Sequence, residues 1–272
     1  MKHDVRPIGI FDSGIGGLTV TAAIRQALPR ERLFYFGDNQ HVPYGQRGLD
    51  EVRNFSHAIV DALLRADCKL IVIACNTASA AALAAVRAAH PGFPFVGMEP
   101  AVKPAVEHTS TGTVGVIATT ATFQSELYAS IVERFAGDVT VLHQACPGLV
   151  SQIEAGLLEH PDTEAMLRGW LEPMLARNID SLVLGCTHYP LVRPLIARIV
   201  GPGVRIIDPA PAIARRVHQL LNDLHLSSNA DHGRLQCWTS GDPAAYAGTL
   251  AHLGLQAEVR RGGWEEGILT LP

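Results

Sequence analysis

The chain has 272 residues, room for one large domain or two of ordinary size, and its 47% hydrophobic content against 18% charged can bury a core without a disulfide or metal staple. A net charge of −4 with no long basic run argues against nucleic acid as the main partner, and no stretch of 18 consecutive apolar residues offers a membrane span. Five irregularly spaced cysteines and a start, "MKHDVRPIGIFDSG", without an apolar run for export point to reduced thiols in a cytoplasmic, soluble protein.

Along the chain, short apolar runs alternate with helical patterns. The first run, "IGIF" (8–11), is followed by Asp12-Ser13-Gly14 and then by Gly16-Gly17, which open a helix. "LFYF" (33–36) leads into "GDNQHVPYG", and over 50–65 Val52, Phe55, Ile59, Ala62 and Leu63 share one helical face. "LIVIA" (70–74) ends at Cys75-Asn76-Thr77, and "FVGM" (95–98) runs into the proline-marked "GMEPAVKPA" (97–105). "VGVIA" (114–118), "VTVL" (139–142), "SLVLG" (181–185) and "VRII" (204–207) follow, the last leading into "IIDPAPAIARR" (206–216). Strand and helix in alternation predict a parallel sheet covered on both faces, an α/β fold.

Two pairs of strings repeat. "PIGIFDSG" (7–14) aligns with "TVGVIATT" (113–120), and "LIVIACNTAS" (70–79) aligns with "SLVLGCTHYP" (181–190). Residues 7–98 and 113–207 therefore read as two related units. The expected fold is two pseudo-symmetric, doubly wound parallel-sheet domains with a site in the cleft between them. The expected division is 1–98 plus 209–272 for the first domain, whose tail packs back onto it, and 99–208 for the second.

Ligands of open parallel sheets gather beyond the carboxyl ends of the strands. Those ends carry Asp12 and Ser13, then Cys75, Asn76 and Thr77, and in the second unit Thr119, Thr122, Cys186, Thr187 and His188. Two thiols would then face each other across one pocket. A thiol has a pKa of about 8.5, which neighbouring charge or a helix start can lower toward neutrality, and such a group suits proton transfer near neutral pH. One thiolate and one thiol on opposite faces of a carbon could remove a proton and return another from behind, inverting the centre. Asp12 and His188 could assist one thiol each. The hydroxyls, Asn76 and backbone amides at helix starts could hold a small polar substrate and its carboxylates.

The motifs DSGxGGL (12–18), PYG (43–45), ACNTASA (74–80) and GCTHYPL (185–191), in this order, resemble the glutamate racemase family of the aspartate/glutamate racemase superfamily. The likeness spans about residues 7–210 and includes "ACPGLVSQIEAG" (145–156). It implies cofactor-independent racemisation with Cys75 taking the proton from D-glutamate and Cys186 from L-glutamate. It also implies that Asp12 and His188 assist, that Glu154 orients the histidine, and that Tyr44 and Gly45 form a substrate-proximal loop. The family's product, D-glutamate, supplies peptidoglycan, which implies a bacterial cytoplasm; a homodimer is the expected assembly. "IDPA" (207–210) departs from the family, many of whose members have Ser after the Asp.

Other readings compete. Cys68, Cys146 and Cys237 read as small buried hydrophobes. "DSGIGG" imitates a dinucleotide loop, but it lacks the third glycine of G-x-G-x-x-G, and Asp12 would repel a pyrophosphate. Pyridoxal phosphate needs a lysine, and the only lysines are Lys2, Lys69 and Lys103. A cysteine hydrolase with His188 as base would leave one thiol unexplained. Zinc on Cys75, Cys186 and His188 would lack a clear fourth ligand, so no metal and no cofactor are expected. A binding module would need neither thiol, and a racemase acting on aspartate or another amino acid is the nearest alternative.

Overall fold

The computed structural model describes residues 4–271. The first half alternates β1 (Ile8–Asp12), α1 (Leu18–Ala27), β2 (Leu33–Gly37), α2 (Leu49–Arg65), β3 (Leu70–Ile73), α3 (Asn76–Ala89) and β4 (Phe95–Gly97). A short helix, α4 (Val102–His108), leads into β5 (Thr113–Ala118), α5 (Thr120–Phe123), α6 (Glu126–Phe135) and β6 (Thr140–Ala145). Then come α7 (Leu149–Glu154), α8 (Pro161–Leu175), β7 (Ser181–Gly185), α9 (Arg193–Val200) and β8 (Arg205–Ile207). The chain finishes with α10 (Ala210–Asp223), β9 (Leu235–Thr239), α11 (Tyr246–His252), β10 (Val259–Arg261) and the pair β11 (Gly263–Glu265) and β12 (Ile268–Thr270).

Two parallel sheets hold β1 to β10, in the orders β10-β9-β2-β1-β3-β4 and β6-β5-β7-β8, and β11 and β12 form a separate antiparallel pair. The order β2-β1-β3-β4 recurs strand for strand as β6-β5-β7-β8, so the expected pseudo-symmetric α/β architecture is observed. β1 corresponds to β5 and β3 to β7, the two strand pairs that the repeated strings aligned. β9 lies beside β2, in register from Leu33↔Leu235 to Gly37↔Thr239.

The pleat explains the apolar runs. Ile8, Ile10, Leu33, Tyr35, Leu70 and Val72 point to the face covered by α1 and α10. Phe11, Phe34, Phe36, Ile71 and Ile73 point to the other, against α2 and α3. A strand buried on both faces needs no polar alternation, hence the unbroken hydrophobic strings. The strand that composition cut shortest is β6, which pairs on through His143↔Val116, Gln144↔Ile117 and Ala145↔Ala118, whereas β1, β2 and β5 each run one residue beyond their apolar strings. As an edge strand with its residues only half-buried or exposed, it accommodates polar side chains that an inner strand would exclude. Among the described residues no helix is long and apolar enough to cross a membrane.

Candidate active site

Cys75 follows β3 and is the residue at which α3 starts, while Cys186 follows β7, the equivalent strand of the second unit. Both are buried, at 5% and 7% exposure. Asp12 ends β1 and is fully buried. Its Oδ2 accepts the Gly17 amide at 2.7 Å, which fixes the start of α1, and the Thr187 hydroxyl at 3.4 Å. The same carboxyl lies near enough to the Cys75 thiol for each to shift the other's protonation. One acid thus lies near the first thiol and bonds the residue next to the second, and Cys186 is near enough to Cys75 to raise it.

The second thiol has its own partners. Cys186 Sγ lies 3.8 Å from His188 Nδ1, and His188 Nε2 lies 2.6 Å from Glu154 Oε1. Glu154, at the end of α7, also accepts the Ile15 amide on Oε1 at 2.8 Å and Asn39 Nδ2 on Oε2 at 2.9 Å. An imidazole pinned at one nitrogen presents the other to the sulfur in a fixed direction. Glu154 belongs to the second unit, whereas Ile15 and Asn39 belong to the first, so this carboxylate also ties the two units together.

The glycine-rich turn after β1 exists to let these groups in. A Cβ on Gly14 would overlap the Glu154 carboxylate, and one on Gly16 would overlap the His188 ring. Neither glycine is among those with positive φ, so the requirement is close approach by side chains from the other unit. Gly16→Ala is therefore expected to displace His188 from Cys186. Turnover should fall about 100-fold, the usual penalty for a displacement near 1 Å. Gly48→Ala, where nothing lies within 4 Å, should leave turnover unchanged; kcat for both variants, with circular dichroism to verify folding, checks this.

The hydroxyl groups form a second cluster. Thr77 Oγ1 lies 3.0 Å from Thr119 Oγ1 and 3.4 Å from Thr122 Oγ1, and the last two are 2.9 Å apart. Thr119 also caps α5 by accepting the Thr122 amide at 3.2 Å, so the capping and site readings hold together. Asn76 is buried, and neither its Oδ1 nor its Nδ2 has a hydrogen-bond partner among the described residues. Unpaired buried polar groups cost about 1–3 kcal/mol each, so this amide is poised for a polar ligand. Ser13 is buried, with Oγ 3.5 Å from Asp12 Oδ1. Tyr44, 1% exposed, donates its hydroxyl to Asp38 Oδ2 at 2.7 Å. Gly45 sits against Thr119, where a Cβ would come within 2.6 Å.

The charge states differ from the simple expectation of a thiol lowered toward neutrality. Burial pushes the Cys75 thiol well above its ordinary range, and the Asp12 carboxylate adds to this, although the amide of Ala78 at the start of α3 works the other way. Asp12 is raised as well, by burial first, against the lowering influence of His188 and Cys75. For His188, burial alone would lower the value. The contacts with Cys186, Glu154 and Asp12 outweigh it and hold the imidazole protonated well above its usual range. Burial thus favours the protonated form of the Cys75 thiol, and the contacts around the second sulfur favour the cationic form of His188.

The contacts join Asp12 to Ser13 and Thr187, His188 to Cys186 and Glu154, and Thr77 to Thr119 and Thr122, but several partners were not foreseen. Asn39, the Ile15 amide, Asp38 and Trp264 have no motif of their own; only Asp38, at the end of β2, carried a positional signal. Lys69 is buried at the opposite end of β3. Its Nζ lies 2.7 Å from Glu31 Oε2 and donates to the Asp4 and Leu226 carbonyls, which removes it from reach of a ligand near Cys75. Burial pushes the Cys68 and Cys237 thiols up to about 12 and raises Cys146 further. Among the described residues no group of three or more His, Cys, Asp or Glu is arranged to hold a metal ion.

The chain resembles known proteins along most of its length. The sequence pattern of the Asp/Glu/Hydantoin racemase family matches residues 8–217. A glutamate racemase of Stutzerimonas stutzeri is 47% identical over 250 residues, 92% of this chain and 94% of that one. A glutamate racemase isoform from Bacillus anthracis superposes with a TM-score of 0.88 at 33% identity, covering 98% of this chain and 100% of the other. The Francisella tularensis glutamate racemase, solved with D-glutamate, gives 0.83 at 32% identity over 94% and 97%.

Proposed function

Because the chain belongs to the glutamate racemases of the Asp/Glu/Hydantoin racemase family, we propose that Cys75 and Cys186 are the two groups that carry the α-proton of glutamate, without a cofactor. The enzyme is an isomerase that interconverts L- and D-glutamate by two-cysteine proton transfer and supplies D-glutamate for peptidoglycan. The observation behind the residue assignment is the placement of one thiol at each of two symmetry-equivalent strand ends, with Asp12 at one and His188 at the other.

For L-glutamate, the Cys186 sulfur takes the Cα proton while the Cys75 thiol delivers its own to the opposite face. One C–H and one S–H bond break, and one of each forms. The D-enantiomer runs the same step backwards. Burial and Asp12 favour the protonated form of Cys75, the form that donates in the L-to-D direction. In the reverse direction, the substrate ammonium supplies the positive charge that a thiolate at Cys75 needs. Asp12 shares the proton of Cys75, and His188, steadied by Glu154, does the same for Cys186. Asn76, Ser13, Thr77, Thr119, Thr122 and Thr187 bind the carboxylates and ammonium, with Tyr44 and Gly45 closing over them. Five free thiols support a cytoplasmic setting, and a homodimer is the commonest closed assembly.

The test is isotopic. In D₂O, L-glutamate should yield D-glutamate with deuterium at Cα, since the donating thiol exchanges with solvent before each turnover. Absence of both α-exchange and D-glutamate would reject the assignment. Aspartate tested in parallel by chiral chromatography distinguishes the nearest alternative substrate.

A further inference from the structure

One group of side chains plays no part in the proton transfer, yet it joins the end of the chain to the turn over the thiols. At its centre Asp38, fully buried, accepts Trp264 Nε1 at 2.7 Å and Ser240 Oγ at 2.8 Å on Oδ1. The Tyr44 hydroxyl is bonded to its Oδ2, which also faces His41 Nδ1 at 2.8 Å. The Trp264 ring stands edge-on to His41 and Phe55, with centroids 5.1 and 5.9 Å apart, while His41 stacks on Phe55 at 4.0 Å.

This aromatic block is anchored at both ends. On the hairpin side, Arg65 Nη2 donates to the Leu269 carbonyl at 3.0 Å, and Leu269 is buried in the core with Phe36 and Leu63. On the site side, Tyr44 starts the turn Tyr44–Gln46, whose Gly45 abuts Thr119 of the other unit. Tyr44 is also near enough to Cys75 and Asp12 to feel their charge.

We propose that the C-terminal hairpin β11–β12 is a latch on the active site: Trp264, acting through Asp38, holds the Tyr44–Gly45 turn closed over the thiol pair and so sets how tightly glutamate is retained. This rests on the assignment of Cys75 and Cys186 as the glutamate site. Trp264 is a positioning residue and touches no reacting atom. Without its N–H, the buried Asp38 carboxyl has one donor fewer, and the turn it holds spends more time open. If the closed fraction falls to about one tenth, the apparent dissociation constant rises about tenfold while the chemical step is unchanged.

Trp264→Phe retains the ring packing and removes only the donor; Tyr44→Phe removes the hydroxyl at the other end of the same connection. Each should raise KM for both enantiomers about 5- to 10-fold, and in Trp264→Phe, which alters no group at the substrate, kcat should stay within about 2-fold. Because both substitutions interrupt one chain of contacts, the double variant should be little worse than either single one. Amides 41–48 should exchange faster with deuterated solvent in Trp264→Phe than in the parent enzyme. An unchanged KM with only a lower melting temperature would make Trp264 a packing residue and overturn the latch, as would full additivity in the double variant. If Trp264→Phe does not fold, Ser240→Ala removes another donor to the same oxygen and is read against the same outcomes. Amide exchange needs no substrate, so failure of the parent enzyme to racemise glutamate would be separable from failure of the latch.

Discussion

Cys75→Ser and Cys186→Ser should each abolish racemisation, with turnover falling about 10⁴-fold, the upper range for loss of a positioned acid–base group. Serine is nearly isosteric with cysteine, so the fold should persist, but its hydroxyl neither gives up nor holds a proton near neutral pH as a thiol does. Because the substrate and product are enantiomers with an equilibrium constant of one, kcat/KM must fall equally in both directions, whichever cysteine is changed. The two variants differ in what remains. With Cys75 intact, the Cys186→Ser enzyme can still remove and replace the proton of D-glutamate on one face, giving α-exchange without inversion. The Cys75→Ser enzyme should do the same with L-glutamate. Cys68→Ala, a buried site at the far end of β3, should leave turnover intact. A cysteine hydrolase predicts a different result: loss with one cysteine only, and a covalent intermediate trapped by rapid quench. Chiral chromatography and proton NMR in D₂O distinguish these outcomes, and retained turnover in either serine variant would remove that residue from the mechanism.

Asp12→Asn should separate catalysis from stability. Asp12 is fully buried and raised above the ordinary carboxylate range, chiefly by desolvation. The folded protein therefore binds this proton more tightly than the unfolded chain does. The linked stability is greatest at low pH and is lost as pH rises from about 4 through the raised folded value. His188 is also raised, so its contribution has the same sign but begins to fade only above about 6.5. The difference between parent and variant reports the Asp12 part together with its coupling to His188. Asparagine retains an oxygen for the Gly17 amide and carries no charge to desolvate. At neutral pH the variant should be as stable as the parent or more so, with a shallower loss of stability between pH 4 and 8, while turnover falls about 10²- to 10³-fold. Urea unfolding at several pH values and steady-state kinetics test both halves. Retained turnover would show that the carboxylate only starts α1, and lower stability at neutral pH would show that its charge is favourable where it sits.

Such a trade is common where a site keeps strained or desolvated groups for chemistry. It also accounts for the Asn76 amide, whose two unpaired polar atoms make the site less stable than an apolar one of the same shape.

Most of the architecture could be read from local pattern. The fully buried strands are unbroken apolar strings, because a parallel strand covered on both faces tolerates nothing else. The two thiols were visible as a pair because each follows such a string at the equivalent point of a repeat. The candidate residues at strand ends were found for the same reason: chain direction in a parallel sheet determines which end carries the ligand.

What only the tertiary structure decided are relations between distant residues. Gly14 and Gly16 are small because Glu154 and His188 press against them from the other unit, whereas locally they resemble a phosphate loop. The Ile15 amide meets Glu154 across 139 residues, and Trp264 meets Asp38 across 226; no periodicity encodes such pairs. Cys75, Asp12 and His188 are displaced from their ordinary protonation by burial and by one another. Desolvation and Coulomb coupling arise only when the chain has closed around a charge, so the sequence names the groups that carry protons and the fold sets where those protons rest.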